Sequence, residues 1–439
     1  MVTFAQLRSA KPASWIAAAD DLLAAAQHCE RVKDDVHGNG VRSLNEDWQS
    51  QYGQSAAVHA LLTVADQAEI AAILARSTVD PLDSLGRAIE IAQQELESGL
   101  EIARKACLEV DPATGAVTIP AALRHEEGAI HDRQRAQQVI DNAIKAATQA
   151  DGHCTEALAA AAQLDPAKTS SSVADAQNIQ ARNAELALEE IRNTLPEGLP
   201  PDLVEQWWNA LTPAERSRLE LAAPIELFDL PGIPDGVKRE LDRPENGFSA
   251  IGALRYARAH VDDTGIDWTG RDNCTNFVSH VLAYGGGMSG KESWWKPRRF
   301  DDDGWSDGTG GGSDIGPPGW AHTPSWGAAQ ENRDFFVENG GRIVASVEGS
   351  AGTLAGVRPG DLLYFTETQE RPAGEDHGAL HPGQVHHAAV VTAVLPDGNV
   401  LYTQHSGAAE NYPLNGRLPE FEQQVGRQKI EVVRPKVTW

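Results

Sequence analysis

Apolar residues recur at helical spacing through the first part of this 439-residue chain and at strand spacing near its end. Trp15, Ile16, Ala19, Leu22, Leu23, Ala26 and Cys29 repeat with the period of an amphipathic helix. Similar stripes run over 56–76, 84–107, 122–163 and 174–193. Gly38–Gly40, Asp80–Pro81, Asp111–Pro112 and Asp165–Pro166 punctuate them. Abundant alanine favours helix and permits close packing. The segment TGAVTI (114–119) is the one strand-like interruption. A shorter module over 195–224 has Pro at helix starts and a Thr212-Pro213-Ala214-Glu215 helix entry. It is followed by the turn-rich run LPGIPDG (230–236). From Asn246 the texture changes. Segments 342–347, 361–365, 387–394 and 399–405 read as strands, and Pro396-Asp397-Gly398 is a hairpin turn between the last two. The pattern predicts a multidomain chain: an all-α helical bundle over 1–165, a helical extension and linker over 166–245, and an α+β domain over 246–439.

Composition changes this picture mainly by exclusion. The length exceeds what one hydrophobic core usually serves, and 41% hydrophobic with 23% charged residues is ordinary for globular chains. The formal net charge is -26, and residues 246–439 contribute 16 Lys/Arg against 24 Asp/Glu. Both parts are acidic, so neither nucleic acid nor an anionic membrane surface is an expected partner. Cys29, Cys107, Cys154 and Cys274 show no CxxC spacing, so no zinc ribbon or redox dithiol is signalled. Free buried thiols are the plainer expectation for the first three. The start lacks a long apolar leader, and no apolar run reads as a membrane span. Export would take a route without a cleaved leader.

Candidate chemistry gathers around DNCTNFVSHVLAYGGG (272–287). After Cys274, Phe277, Val278, Val281 and Leu282 form an apolar helical face that stops at Gly285–Gly287. That places the thiol at a helix start, where free N–H groups and the helix dipole favour thiolate. A lone buried cysteine is otherwise a core residue, so a partner is needed. VHHAAVVTAV (385–394) offers His386 and His387 at the start of a strand. Alternation points them to opposite faces, so one of the two serves as base. His405, ending the next strand, is a candidate third member or a structural polar residue.

YARAHV (256–261), NCTNFVSH (273–280), PGDLLYF (359–365), HHAAVVT (386–392) and YTQHSG (402–407) together resemble a bacterial amidase domain. That family belongs with the NlpC-type and CHAP peptidoglycan hydrolases on a papain-like fold. The resemblance covers roughly 247–437. It implies Cys274 as nucleophile, His387 as base and His405 as third polar residue. Three positions depart from the family pattern: Asn273 replaces an acidic residue, His280 a Gln, and Ser406 a Thr. The Cys274 N–H is the natural oxyanion donor, and Tyr256 and Asn273 are auxiliary candidates. Trp294, Trp295, Trp305, Trp320 and Trp326 occupy a Gly-, Asp- and Pro-rich insertion and could stack on sugars or stem peptides, with His386 beside them; filling a loop-rich wall is the equal alternative.

Two metal readings compete weakly. His377, His381, His386 and His387 could offer zinc ligands, but no HExxH motif accompanies them and the cysteine motif would go unexplained. DDDGWSD (301–307) lacks the full calcium-loop register, because Arg299 holds its first position. No metal and no cofactor is assigned.

In the helical part, DWQSQYGQSAA (47–57) resembles a degenerate WXG-type turn of type VII secretion proteins. WWNALTPAERSRLE (207–220) and GIPDGVKRELDRPEN (232–246) resemble a linker upstream of hydrolase and toxin domains. These resemblances imply an effector that is cytoplasmic before export and then secreted or wall-associated, with a small helical secretion partner and an immunity protein. The expected activity is cleavage of amide bonds in peptidoglycan or its stem peptides. A non-catalytic wall-binding or assembly protein and a cytoplasmic cysteine protease or amidase remain the alternatives.

Overall fold

The computed structural model describes residues 1–41, 43–44, 51–267, 273–292, 298–308, 322–348, 354–368, 370, 373, 379–405, 407–415 and 428–439. They divide into a helical unit, Met1–Thr194, and a sheet-containing unit, Leu195–Trp439.

In the helical unit, α1 (Phe4–Ser9) starts with a capping box between Thr3 and Gln6. α2 (Pro12–Asp35) packs along α3 (Gln51–Lys105), which also carries α4 (Glu127–Ala162) and α5 (Val173–Asn193). The two strand residues of β1 (Glu109–Val110) pair with β2 (Val117–Thr118), where the sequence showed its strand-like interruption. The break expected at Asp80–Pro81 does not occur: α3 runs through Pro81 as one helix of 55 residues. Pro removes one intrahelical bond, but apolar packing on both sides of it, through Val79, Leu82 and Leu85, outweighs that local cost. A consequence is that α3 is long and apolar enough to cross a membrane by length and composition, with hydropathy 1.4 in its most apolar window, which the sequence reading did not expect. One third of that window (33%) is buried inside the unit.

A seam of small side chains in this unit runs along α4. Ala136, Ile140, Ala143, Ala147, Ala150, Cys154 and Ala157 alternate at spacings of four and three and are all buried. Small side chains there let helices approach closely. At Gly99 of α3 even a methyl group would press on Ile140 and Val139. α5 joins the seam through Asn183, whose Nδ2 donates to Ala157 O at 3.1 Å and Ser77 Oγ at 3.2 Å. With these bonds and the packing of Ala176 on Ile70, Ile73 and Leu74, α5, assigned from sequence to an extension beginning at 166, lies within the helical unit.

The second unit opens with short helices α6 (Pro201–Ala210), α7 (Pro213–Ala222), α8 (Pro224–Asp229) and α9 (Asp235–Asp242), each with Pro at or beside its start. Then come α10 (Ala250–Ala259), α11 (Cys274–His280), α12 (Pro324–Gly327) and α13 (Ala329–Glu338). Six antiparallel strands follow: β3 (Arg342–Glu348), β4 (Leu362–Glu367), β5 (Val385–Val394), β6 (Val400–Gln404), β7 (Ala409–Pro413) and β8 (Gln428–Arg434). Their order is β3-β8-β4-β5-β6-β7. β7 and β8 were not anticipated. On one face Leu362, Tyr364, Ala388, Val390 and Val433 pack on Phe277, Val278, Val281 and Leu282 of α11 and its continuation. On the other, Leu363, Phe365, Val391, Tyr402 and Val432 pack with Leu221 of α7, Leu354 and Val357.

Candidate active site

Cys274 is the first residue of α11, with Asn273 at the cap position. The helix does not stop at His280 but widens into a π turn, Val281–Gly285. Glycine is needed there because α10 crosses at backbone contact. A side chain on Gly285 would overlap Tyr256, and one on Gly252 would overlap the Gly285 carbonyl. The close crossing and the buried face fix α11 against the sheet. Its first turn therefore presents the thiol toward the start of β5.

Burial by itself pushes the Cys274 thiol up. The positive charge and hydrogen bond of His387, with smaller help from the Ala388 N–H and Thr275, more than reverse this and bring it from 9.0 down to about 7. His387 is held in turn. Its Nε2–H donates to Gln404 Oε1 at 2.9 Å. The Gln404 amide has its own direction set, because its Nε2 donates to Gly407 O at 2.9 Å. The oxygen must then face the imidazole. With Nε2 carrying the proton, Nδ1 is the nitrogen left for the thiol. The chain Cys274–His387–Gln404 thus brings together a thiol, an imidazole in a defined tautomer and an amide that orients it, an arrangement able to supply a nucleophile and its base.

A β-bulge explains how two adjacent histidines reach different places. Phe365 pairs with His387 and Thr366 with Val385, so His386 is the extra residue. The His386 ring lies against Gln428 (Nε2 to Nε2, 3.0 Å) and 3.7 Å from the buried Glu367 carboxylate. It therefore faces the neighbouring strands.

His405, expected as third member, does not orient His387. Its Nδ1 faces Val261 O at 2.7 Å, its Nε2 faces Asp267 Oδ1 at 2.6 Å, and its ring stacks on Phe277. Both nitrogens are occupied. Gln404, one residue earlier, projects from the strand in the other direction and reaches the base. Asn276 pins the same approach segment, donating to Ile266 O at 2.7 Å. His405 and Asn276 thus anchor the residues that precede the segment leading to Cys274.

For two of the tryptophans the packing alternative holds. Trp305 and Trp326 are core residues, 0% and 2% exposed, with ring centroids 4.8 Å apart. Polar residues of the cysteine motif hold them. Trp326 Nε1 donates to Asn276 Oδ1 at 2.9 Å, and Trp305 Nε1 to Ser279 Oγ at 3.1 Å. Ser279 Oγ donates to Trp326 O at 2.9 Å. These bonds satisfy indole N–H groups that burial would otherwise orphan. Trp294, Trp295 and Trp320 lie outside the described residues, as do Ser406 and His377.

Tyr256 stacks on His260 with centroids 3.9 Å apart, and its hydroxyl faces His280 Nδ1 at 3.4 Å. That hydroxyl contacts the residue at the other end of α11 from Cys274. Asn273 is buried, and its Oδ1 accepts from Asn276 Nδ2 at 3.5 Å. Of the histidines weighed as zinc ligands, His381 faces Glu370 at 2.8 Å, while His386 and His387 have the separate partners given above. Among the described residues no three His, Cys, Asp or Glu side chains group as a metal site.

No curated protein and no solved structure matches the chain. Residues 247–425, from the loop before α10 to the segment before β8, match the family model described as "Putative amidase domain", and this match supports an amidase domain carrying Cys274, His387 and Gln404.

Proposed function

We propose that the sheet-containing unit is a cysteine-dependent hydrolase of amide bonds in peptidoglycan, built on an NlpC/CHAP-type papain-like plan. The observation that carries the reading is the buried thiol brought to about 7 by a histidine that Gln404 holds. In the proposed reaction His387 Nδ1 takes the Cys274 proton, and the thiolate attacks the carbonyl carbon of the amide. The Cys274 N–H at the start of α11 receives the developing oxyanion. His387 then returns its proton to the leaving nitrogen as the C–N bond breaks. Water, activated by the same imidazole, attacks the thioester and frees Cys274. Gln404 keeps the imidazole in one orientation through both proton transfers.

Peptidoglycan as substrate rests on the resemblance to wall hydrolases together with the amidase match. Export rests on the WXG-like resemblance of 47–57, whose first four residues lie outside the described residues. In that reading the helical unit serves delivery with a small helical partner, and an immunity protein guards the producing cell. The test is digestion of purified peptidoglycan by the wild type and by Cys274→Ala, with soluble products identified by mass spectrometry. Products from the wild type alone establish the cysteine mechanism and name the bond. Folded wild type that releases nothing removes the wall substrate.

A further inference from the structure

Cys274 is 5% exposed, so water does little to solvate its sulfur. A buried thiolate is kept only where hydrogen bonds from the protein replace its hydration. His387 supplies one such bond from the start of β5, and the Ala388 N–H a second. Strand geometry frees that N–H. Val391 bonds to Gly360 and Asp361 on the β4 side, so the N–H groups of Val390 and Ala388 turn the other way, toward β6. Pairing of β5 with β6 begins only at Val390 and Thr403, and Ala388 lies beyond it.

A third donor comes from α11 itself. Thr275 Oγ1 lies 3.6 Å from Cys274 Sγ. Thr275 is 1% exposed, and among the described residues the sulfur is the one partner its hydroxyl has. A threonine inside a helix can return its hydroxyl to a carbonyl three or four residues earlier. Thr275 is the second residue of α11, so the helix holds no carbonyl at that distance. While the thiol is neutral, either atom can carry the hydrogen of this contact. Once the proton has passed to His387, the sulfur only accepts and the hydroxyl must donate.

We propose that the Thr275 hydroxyl donates to the Cys274 thiolate and is a further residue of the reacting centre, held there by the start of α11 to keep the nucleophile charged between turnovers. The bond is made to a charged sulfur and weakens when an acyl group bonds to that sulfur and the charge is lost. Thr275 therefore favours the thiolate over both the thiol and the thioester. It raises the thiolate's population at some loss of nucleophilicity, because nucleophilicity falls as a thiol becomes more acidic. The proposal rests on the reading of Cys274 as nucleophile, but its test needs no amide substrate.

The test is iodoacetamide alkylation of the full chain across pH, followed at Cys274 by mass spectrometry. Among the described residues His387 is the titratable side chain at the sulfur, and it stays in every variant. Thr275→Val keeps the branched shape and removes the hydroxyl. It is expected to raise the Cys274 midpoint by about one unit, the size of one hydrogen bond to a charged group. Its limiting rate at high pH should rise about threefold. A residue that only packed would move neither. Thr275→Ala removes the hydroxyl without adding bulk and is expected to shift in the same direction. Thr275→Ser restores the hydroxyl alone and is expected to keep the wild-type midpoint. A midpoint unmoved in Thr275→Val and Thr275→Ala overturns the proposal, and so does a shift in Thr275→Ser as large as theirs. A shifted midpoint in a chain that releases nothing from peptidoglycan removes the wall substrate and keeps the donor. An unmoved midpoint in a chain that digests the wall removes the donor alone.

Discussion

Each unit of this chain buries a cysteine, and the two thiols differ widely in acidity. Cys154 sits in mid-helix within the alanine seam of α4, where burial first and the charge of Asp151 second push it up to about 12. Cys274 is buried as well, yet it falls to about 7. The difference lies in position and partner. A mid-helix thiol has its N–H groups spent in the helix and faces methyl groups. A thiol at the first helical residue meets unspent N–H groups and, here, an imidazole. Burial silences a thiol unless the fold supplies a cation at hydrogen-bonding distance.

The sharpest way to break this comparison is to exchange the two roles. Cys274→Ala is expected to lower amide hydrolysis by on the order of 10⁴-fold or more, whereas Cys154→Ala leaves the rate constant within about twofold. Equal losses in both would remove the special status of Cys274. Next in size is His387→Ala, expected to cost about 10²–10⁴ in kcat/KM, the range of general acid–base catalysis. The same variant sharpens the electrostatic argument. Alkylation by iodoacetamide, followed site by site with mass spectrometry, consumes thiolate. In the wild type Cys274 should react faster as pH rises through about 7, while Cys154, held near 12, stays unreacted at neutral pH. In His387→Ala the Cys274 midpoint should move above its ordinary value of 9.0, because only the burial penalty remains large.

A smaller effect separates the orienting residue from its neighbour. Gln404→Ala is expected to lower kcat about 10- to 100-fold with folding intact, part of the base's own contribution. His405→Ala should instead lower stability by about 1–3 kcal/mol, because Asp267 and the Val261 carbonyl lose their partner. Its pH–rate profile should keep the wild-type midpoint. A shifted midpoint in His405→Ala, with none in Gln404→Ala, would reverse the assignment. Smallest is Ser279→Ala. It strands the Trp305 indole N–H and is expected to cost about 1–3 kcal/mol in denaturant unfolding, with little change in rate.

Much of this was legible from residue patterns because the signals were local. Stripes of period 3.6 gave α2, α4 and α5, and alternation gave β3 to β6. The Cys274 helix start followed from an apolar face beginning three residues later. The failures have common physical causes. α3 crossing Pro81 is tertiary packing overriding a local cost. β8 has no hairpin turn of its own and is defined by partners distant in sequence. His405 was favoured as the third member because histidine is the stronger chemical signal. Strand alternation alone separates it from Gln404, and only the register of β5 against β6 says which of the two reaches His387. Trp305 and Trp326 looked like a binding surface because the insertion around them is rich in Gly and Asp. Their partners, Asn276 and Ser279, sit inside the cysteine motif itself, so part of that motif serves the core.

The place of β8 in the sheet has a consequence for the order in which the protein can be made. Of the six strands in this sheet β8 is the last to leave the ribosome, yet it lies between β3 and β4, pairing Ile343 with Val433 and Leu362 with Val433. A nascent chain that has emerged as far as Gly407 already contains the thiol, the imidazole and the amide of the candidate site. It still lacks the strand that joins β3 to the rest of the sheet. Synthesis therefore supplies the candidate site's side chains before the sheet that holds them is complete, since β3 meets the other strands only through residues 428–434.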